Sequence, residues 1–172
     1  MATKSVFTGL ALLLCLYVQV VMAITPVKGG LIAGTPVTIN QSDGNQTDAH
    51  VGGTYAAYTD SADSRIHYYN FLTGVDAAIP AADGEVDTLA DVNGKWISLT
   101  RQTAGGDFEI VVVDTASAIQ TLIDPHHGDV RLGSAINGNT LAYIDFGTGT
   151  GSGDLFAVSL PSGLPVLVSG SP

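Results

Sequence analysis

A chain of 172 residues is about one domain's worth, and 6 Lys+Arg against 16 Asp+Glu give it a net charge of −10. An acidic excess of that size is repelled by phosphate backbones and anionic lipid surfaces, which argues against nucleic acid and membrane headgroups as partners. The one cysteine, Cys15, excludes an internal disulfide framework and Cys-ligated zinc.

The N-terminus reads as an export signal. Lys4 supplies the positive start, and an apolar run from Val6 to Val21 is broken only by Thr8, Gly9 and Gln19. Val21-Met22-Ala23 then places modest side chains at a cleavage point, so residues 1–23 are expected to be removed, and Cys15 with them. An uncleaved anchor is the poorer reading, because ~20 apolar residues are needed to span a bilayer. Leu12-Leu13-Leu14-Cys15 is a weak lipoprotein box, since Leu14 stands where a small residue belongs. The expected product is secreted, periplasmic or at the cell surface, with no stable membrane insertion after cleavage. Residues 24–43 read as a linker containing a strand, Leu31 to Ile39.

From residue 44 to 172 one pattern occurs three times. His50-Val51-Gly52-Gly53, Asp91-Val92-Asn93-Gly94 and Ala135-Ile136-Asn137-Gly138 each read as a tight turn. Strands rich in β-branched and aromatic residues follow them: Tyr55 to Asp60, Trp96 to Arg101 and Thr140 to Asp145. A third strand follows each polar loop, at Arg65 to Asn70, Phe108 to Asp114 and Asp154 to Leu160. Short outer strands are expected at Asp76 to Ile79, Gln120 to Ile123 and Pro165 to Val168. The anchoring glycines Gly53, Gly94 and Gly138 lie 41 and 44 residues apart, the length of one four-stranded propeller blade. A β-sandwich would also alternate strands and glycine turns, but it needs no in-register repeat. No segment after the signal has helical periodicity. The expected fold class is therefore all-β, with three four-stranded β-propeller-type blades.

These copies resemble the TolB-like and PD40-type β-propeller repeats of exported proteins, which are WD40-like in architecture. The resemblance rests on Gln46-Thr47-Asp48-Ala49-His50-Val51-Gly52-Gly53, on Tyr58-Thr59-Asp60 and on Ile66-His67-Tyr68-Tyr69-Asn70-Phe71-Leu72-Thr73-Gly74. It covers residues 44–168 and implies a scaffold that binds proteins, peptides or glycans, or one that accompanies a hydrolase domain. Closed propellers use about 4–8 blades, and three cannot close a ring. Three resolutions are open: two chains pairing into a six-bladed ring, the strand at Leu31 to Ile39 completing a last blade, or a longer parent chain.

Chemistry-bearing residues are few. Asp145 and Asp154 bracket the glycine-rich loop Phe146 to Gly153, and oxygen ligands on a flexible backbone suit calcium. A mobile hairpin loop is the plainer reading. Asp43, Asp48, His50, Asp60 and Asp63 form an acidic entry to the first copy, a second cation candidate against a solvated turn. Asp83, Glu85, Asp87 and Asp91 form a carboxylate cluster of the kind glycosidases use, with no spacing that selects a pair. His126 and His127 point apart on an extended chain and cannot share a metal without further ligands. No His-Glu-x-x-His, Gly-x-Ser-x-Gly or phosphate loop occurs.

Tyr68, Tyr69 and Trp96 are the candidate binding residues. Strand alternation sends Tyr68 and Tyr69 to opposite faces, so one of them would be open to a partner or a sugar ring. Asn40-Gln41-Ser42 and Asn45-Gln46-Thr47 are glycosylation sequons. The functional expectation is an exported, non-enzymatic interaction or structural module that self-associates and takes a protein or glycan partner, without a required cofactor. The alternatives are part of a hydrolase or lyase acting on polysaccharide or peptide, and a calcium-stabilised surface-layer or filament subunit.

Overall fold

Glycine placement sets the architecture. Gly53, Gly94 and Gly138 take φ values of +62°, +59° and +59°, while the residues after them, Thr54, Lys95 and Asn139, are not left-handed. Positive φ at only the first central residue marks a type II′ hairpin, whose twist matches that of the flanking strands. The Asn-Gly pairs therefore act differently from an Asn-Gly type I′ turn: Asn93 and Asn137 end their strands, and the glycine opens the turn.

The computed structural model describes residues 36–123, 130–147 and 151–169. The export signal, His126-His127, the centre of the glycine-rich loop and most of the expected N-terminal strand lie outside them. Pro36 to Ile39, the described end of that strand, carry no β-structure.

Among the described residues the strands number twelve, in three antiparallel meanders, with no helix long and apolar enough to cross a membrane. Blade 1 contains β1 (Gln46–Gly52), β2 (Tyr55–Asp60), β3 (Arg65–Asn70) and β4 (Val75–Ala78). Blade 2 contains β5 (Val86–Asn93), β6 (Trp96–Gln102), β7 (Phe108–Asp114) and β8 (Ile119–Ile123). Blade 3 contains β9 (Arg131–Asn137), β10 (Thr140–Asp145), β11 (Asp154–Ser159) and β12 (Val166–Ser169). In each sheet strand order follows chain order, as expected of a propeller blade.

Blade 2 is the middle layer, and its central strands β6 and β7 are buried on both sides. In β6 the side chains alternate between two partners. Ile97 and Leu99, with Val111 and Val113 of β7, meet Ala57, Ile66 and Ile79 of blade 1. Trp96, Ile110 and Val112 meet Ile136, Leu141, Tyr143 and Val158 of blade 3. Polar ties set the second interface: Ile136 N–H donates to Asp91 at 2.7 Å, Gly138 N–H to Asn93 at 3.2 Å, and the Trp96 indole N–H to Asn139 at 3.0 Å. At the first interface the hairpin tips approach so closely that a Cβ on Gly52 would lie 2.1 Å from the Val92 carbonyl oxygen.

Each blade carries a one-residue bulge in its first strand. The ladder skips between Thr47 and His50, between Leu89 and Asp91, and opposite Tyr143 between Leu132 and Ala135. Counted from the turn glycine, the three bulges fall at the same place. Asp48 (φ +55°) and Gly133 (φ +65°) supply left-handed residues for two of them.

Candidate functional site

The blade stack has two unlike ends. On blade 1 the face away from blade 2 carries Ala56, Tyr58 and Asp60 of β2 opposite Tyr69, His67 and Arg65 of β3. In the sister blades, Val113 and Val158 stand where Tyr69 does, and Val111 and Phe156 where His67 does. Blade 1 thus replaces an apolar packing face with a hydrogen-bonded one. Tyr58 donates to Asp76 at 2.7 Å and stacks on the His67 ring with centroids 5.7 Å apart. His67 reaches Asp63 through Nε2 at 3.0 Å and Asp76 through Nδ1 at 3.3 Å. Burial alone would lower His67, but hydrogen bonds to Asp63 and Asp76 and both carboxylate charges outweigh it and raise it above its ordinary 6.5. Burial, and then donation to Asp76, pushes the Tyr58 hydroxyl upward.

The preceding segment caps this face. Asn40 donates through Nδ2 to Tyr58 Oη and to Asp60 Oδ2, both at 2.9 Å, and Ser42 donates to Asp60 Oδ2. Ala62 N–H also donates to Asp60, at 2.8 Å. The Ser42 hydroxyl, followed by Ala62 N–H, holds the buried Asp60 carboxyl below its ordinary value. Asp60 is the counterpart of Arg101 in blade 2 and Asp145 in blade 3, where a cross-strand partner supplies the opposite charge. Arg101 binds Asp87 through two 2.7 Å bonds, and Arg131 binds Asp145 at 2.9 Å. In blade 1 that cross-strand position holds Gln46, and the cap takes over the role.

The face of blade 3 away from blade 2 is the opposite in character. Two cross-strand rows run over it, Leu132–Ile144–Leu155 and Ala135–Ala142–Ala157–Val166. A third row, Asn137–Thr140–Ser159, is neutral and polar. No charged side chain stands in these rows. Leu132 and Val166 are 36% and 64% exposed, and Ile144 and Leu155 are half-buried. The corresponding faces of blades 1 and 2 are buried by the next sheet.

A groove of about 390 Å³ lies between blades 2 and 3 at their bulges, lined by Thr88, Leu89, Thr100, Phe108 and Ser134. The Ser134 and Ser98 hydroxyls are buried with no hydrogen-bond partner. At the position of Ser98 the other blades hold Ala57 and Ala142, and at that of Ser134 they hold Ala49 and Ala90.

The expected site residues are dispersed. Asp145 and Asp154 stand opposite each other in register, and Asp145 is held by Arg131 and by Gly147 N–H at 2.7 Å. Among the described residues no group of three His, Asp or Glu side chains has metal-site geometry. Of the acidic entry, Asp48 meets His50 at 3.4 Å, Asp60 is held by the cap and Asp63 by His67. Asp87 is committed to Arg101, and Asp91 to Ile136 N–H, so the two are spread over separate structural contacts. Tyr68 packs against the blade 1–2 core, whereas Tyr69 lies on the capped face, edge-on to Phe71 at 5.5 Å. Trp96 is only 5% exposed, clamped between blades with the Lys95 ammonium 4.3 Å from its ring centre. Of the two sequons, Asn40 uses both amide hydrogens in the cap, while Asn45 is exposed.

No family model and no curated protein matches the chain. Solved structures do. A protein described as a TolB from Agrobacterium tumefaciens superposes with a TM-score of 0.55 at 12% identity, covering 73% of this chain and 50% of its own. A prolyl endopeptidase gives a TM-score of 0.43 at 19% identity, covering 69% of this chain and 19% of its own. The chain thus spans half the length of the TolB structure it matches. At that identity the likeness is one of fold, and the three sheets are TolB-like β-propeller blades.

Proposed function

We propose that the protein is an exported β-propeller-type interaction module that self-associates and carries out no catalysis of its own. One observation carries this reading: among the described residues the stack is polar and capped at blade 1, while at blade 3 it presents two apolar rows and an uncharged polar one that no other sheet covers. Soluble chains rarely leave a contiguous apolar patch to water, and such a patch marks an interaction site. Two of the four clustered carboxylates, Asp87 and Asp91, are held in bonds that tie strands and blades together. An acidic chain with a neutral patch favours a protein partner over nucleic acid.

The test combines compartment with activity. Expressed with its own leader, the protein is expected outside the cytoplasm beginning at Ile24, with no turnover of neutral glycans or peptides. Retention in the cytoplasm at full length would contradict export. Turnover abolished by Asp91→Asn would contradict the non-catalytic reading.

A further inference from the structure

We infer that the open face of blade 3 is a homodimer interface in which it packs on the same face of a second copy, related by a twofold axis. This rests on the self-associating module proposed above and specifies its geometry. Three observations select this occupant. First, blade 1 cannot supply the complementary surface. A ring closed by two chains would set blade 3 of one copy on the outer face of blade 1 of the other. There His67 and Tyr69 replace the valines and phenylalanine of the sister blades, Arg65 and Asp76 add charge beside them, and Asn40 and Ser42 already cover Asp60. Seating an apolar sheet on that face would bury His67 and its two carboxylates without gain.

Second, the face is neutral on a chain of net charge −10. Two acidic copies meet at least cost where neither carries charge. Third, its centre is flat: Ala135, Ala142 and Ala157 stand side by side across three strands, flanked by Leu132, Ile144, Leu155 and Val166. Small residues at the centre allow sheets to approach to the usual ~10 Å. The edge strand β12 has only Ser169 as a polar residue, so it lacks the charges that usually keep an edge from associating.

Size sets the strength. Four strands at ~4.8 Å spacing and about six residues at ~3.3 Å give a face of roughly 19 by 20 Å. Two such faces bury about 800 Å², at the weak end of specific interfaces, so the dimer should dissociate on dilution.

The experiment is single-cysteine crosslinking of the exported protein, which has no other cysteine once Cys15 leaves with the signal. Ala157→Cys with a bis-maleimide reaching about 10 Å is expected to give a covalent dimer. Tyr69→Cys, on the capped face, is expected to give none. Ala142→Arg should leave the far-UV spectrum unchanged and abolish both the Ala157→Cys crosslink and the dimer by mass. A dimer that persists in Ala142→Arg, or that crosslinks only when Ala157→Cys is mixed with Tyr69→Cys, overturns the twofold arrangement and leaves self-association standing. A protein that is monomeric at every concentration overturns both. Should Ala142→Arg misfold, dilution of unreacted Ala157→Cys still decides, because the crosslink yield must fall as the dimer dissociates.

Discussion

Repeat-equivalent residues with different neighbours show what each side chain contributes. Ser98 and Ser134 are hydroxyls without partners in an apolar interface, at positions where the other blades hold alanine. A buried hydroxyl left unpaired costs roughly 1–3 kcal/mol, so Ser98→Ala is expected to stabilise the protein by about 1 kcal/mol, read from the urea midpoint at constant slope. Asp87 is the reverse case. Removing its charge strips the buried Arg101 guanidinium of its two-bond partner, leaving Glu85 at 3.4 Å and Glu109 across the ladder. Asp87→Asn should therefore cost about 3 kcal/mol in the same measurement. His67 adds a pH dependence. Its folded value lies above the ordinary 6.5, so its contribution is full below 6.5 and is lost as pH rises through the raised value. Urea midpoints should therefore decline across that window, and the decline should flatten in His67→Gln.

Among the elements, the strands were legible and the joints between them were not. The expected ranges Tyr55 to Asp60, Arg65 to Asn70, Phe108 to Asp114 and Thr140 to Asp145 match β2, β3, β7 and β10 end to end. Alternation and turn glycines determine those strands locally, and the 41- and 44-residue spacing repeats the signal. Alternation also placed Tyr68 and Tyr69 on opposite faces, as found. It could not tell which face a neighbouring blade covers, so Trp96 read as a binding candidate although it is sealed between blades. The bulges stayed hidden because a single extra residue leaves no mark in composition. Aligning the three copies on their glycines would have found the pairs Gln46–Asp60, Asp87–Arg101 and Arg131–Asp145, and with them the reason Asp60 needs a cap. The hairpin tips give an element-scale prediction. A methyl group on Gly52 would collide with the Val92 carbonyl, so Gly52→Ala should push blades 1 and 2 apart and cost roughly 1–3 kcal/mol, read as a lower melting temperature.

At the scale of the whole molecule, the three blades of the described residues make a stack with one polar, capped end and one mainly apolar end. Repeat arrays need polar outer faces on their terminal units, because an exposed packing face invites association. Blade 1 meets that requirement with His67, Tyr69 and Asp76 and with the Asn40–Ser42 cap. Blade 3 ends in alanine, leucine, isoleucine and valine. The central claim, that blade 3 presents an interface, is tested most directly by the solution mass of the exported protein, measured by light scattering across a concentration series. The account predicts a mass that rises from one chain to two with concentration. A mass of one chain at every concentration, with no aggregation, would contradict it.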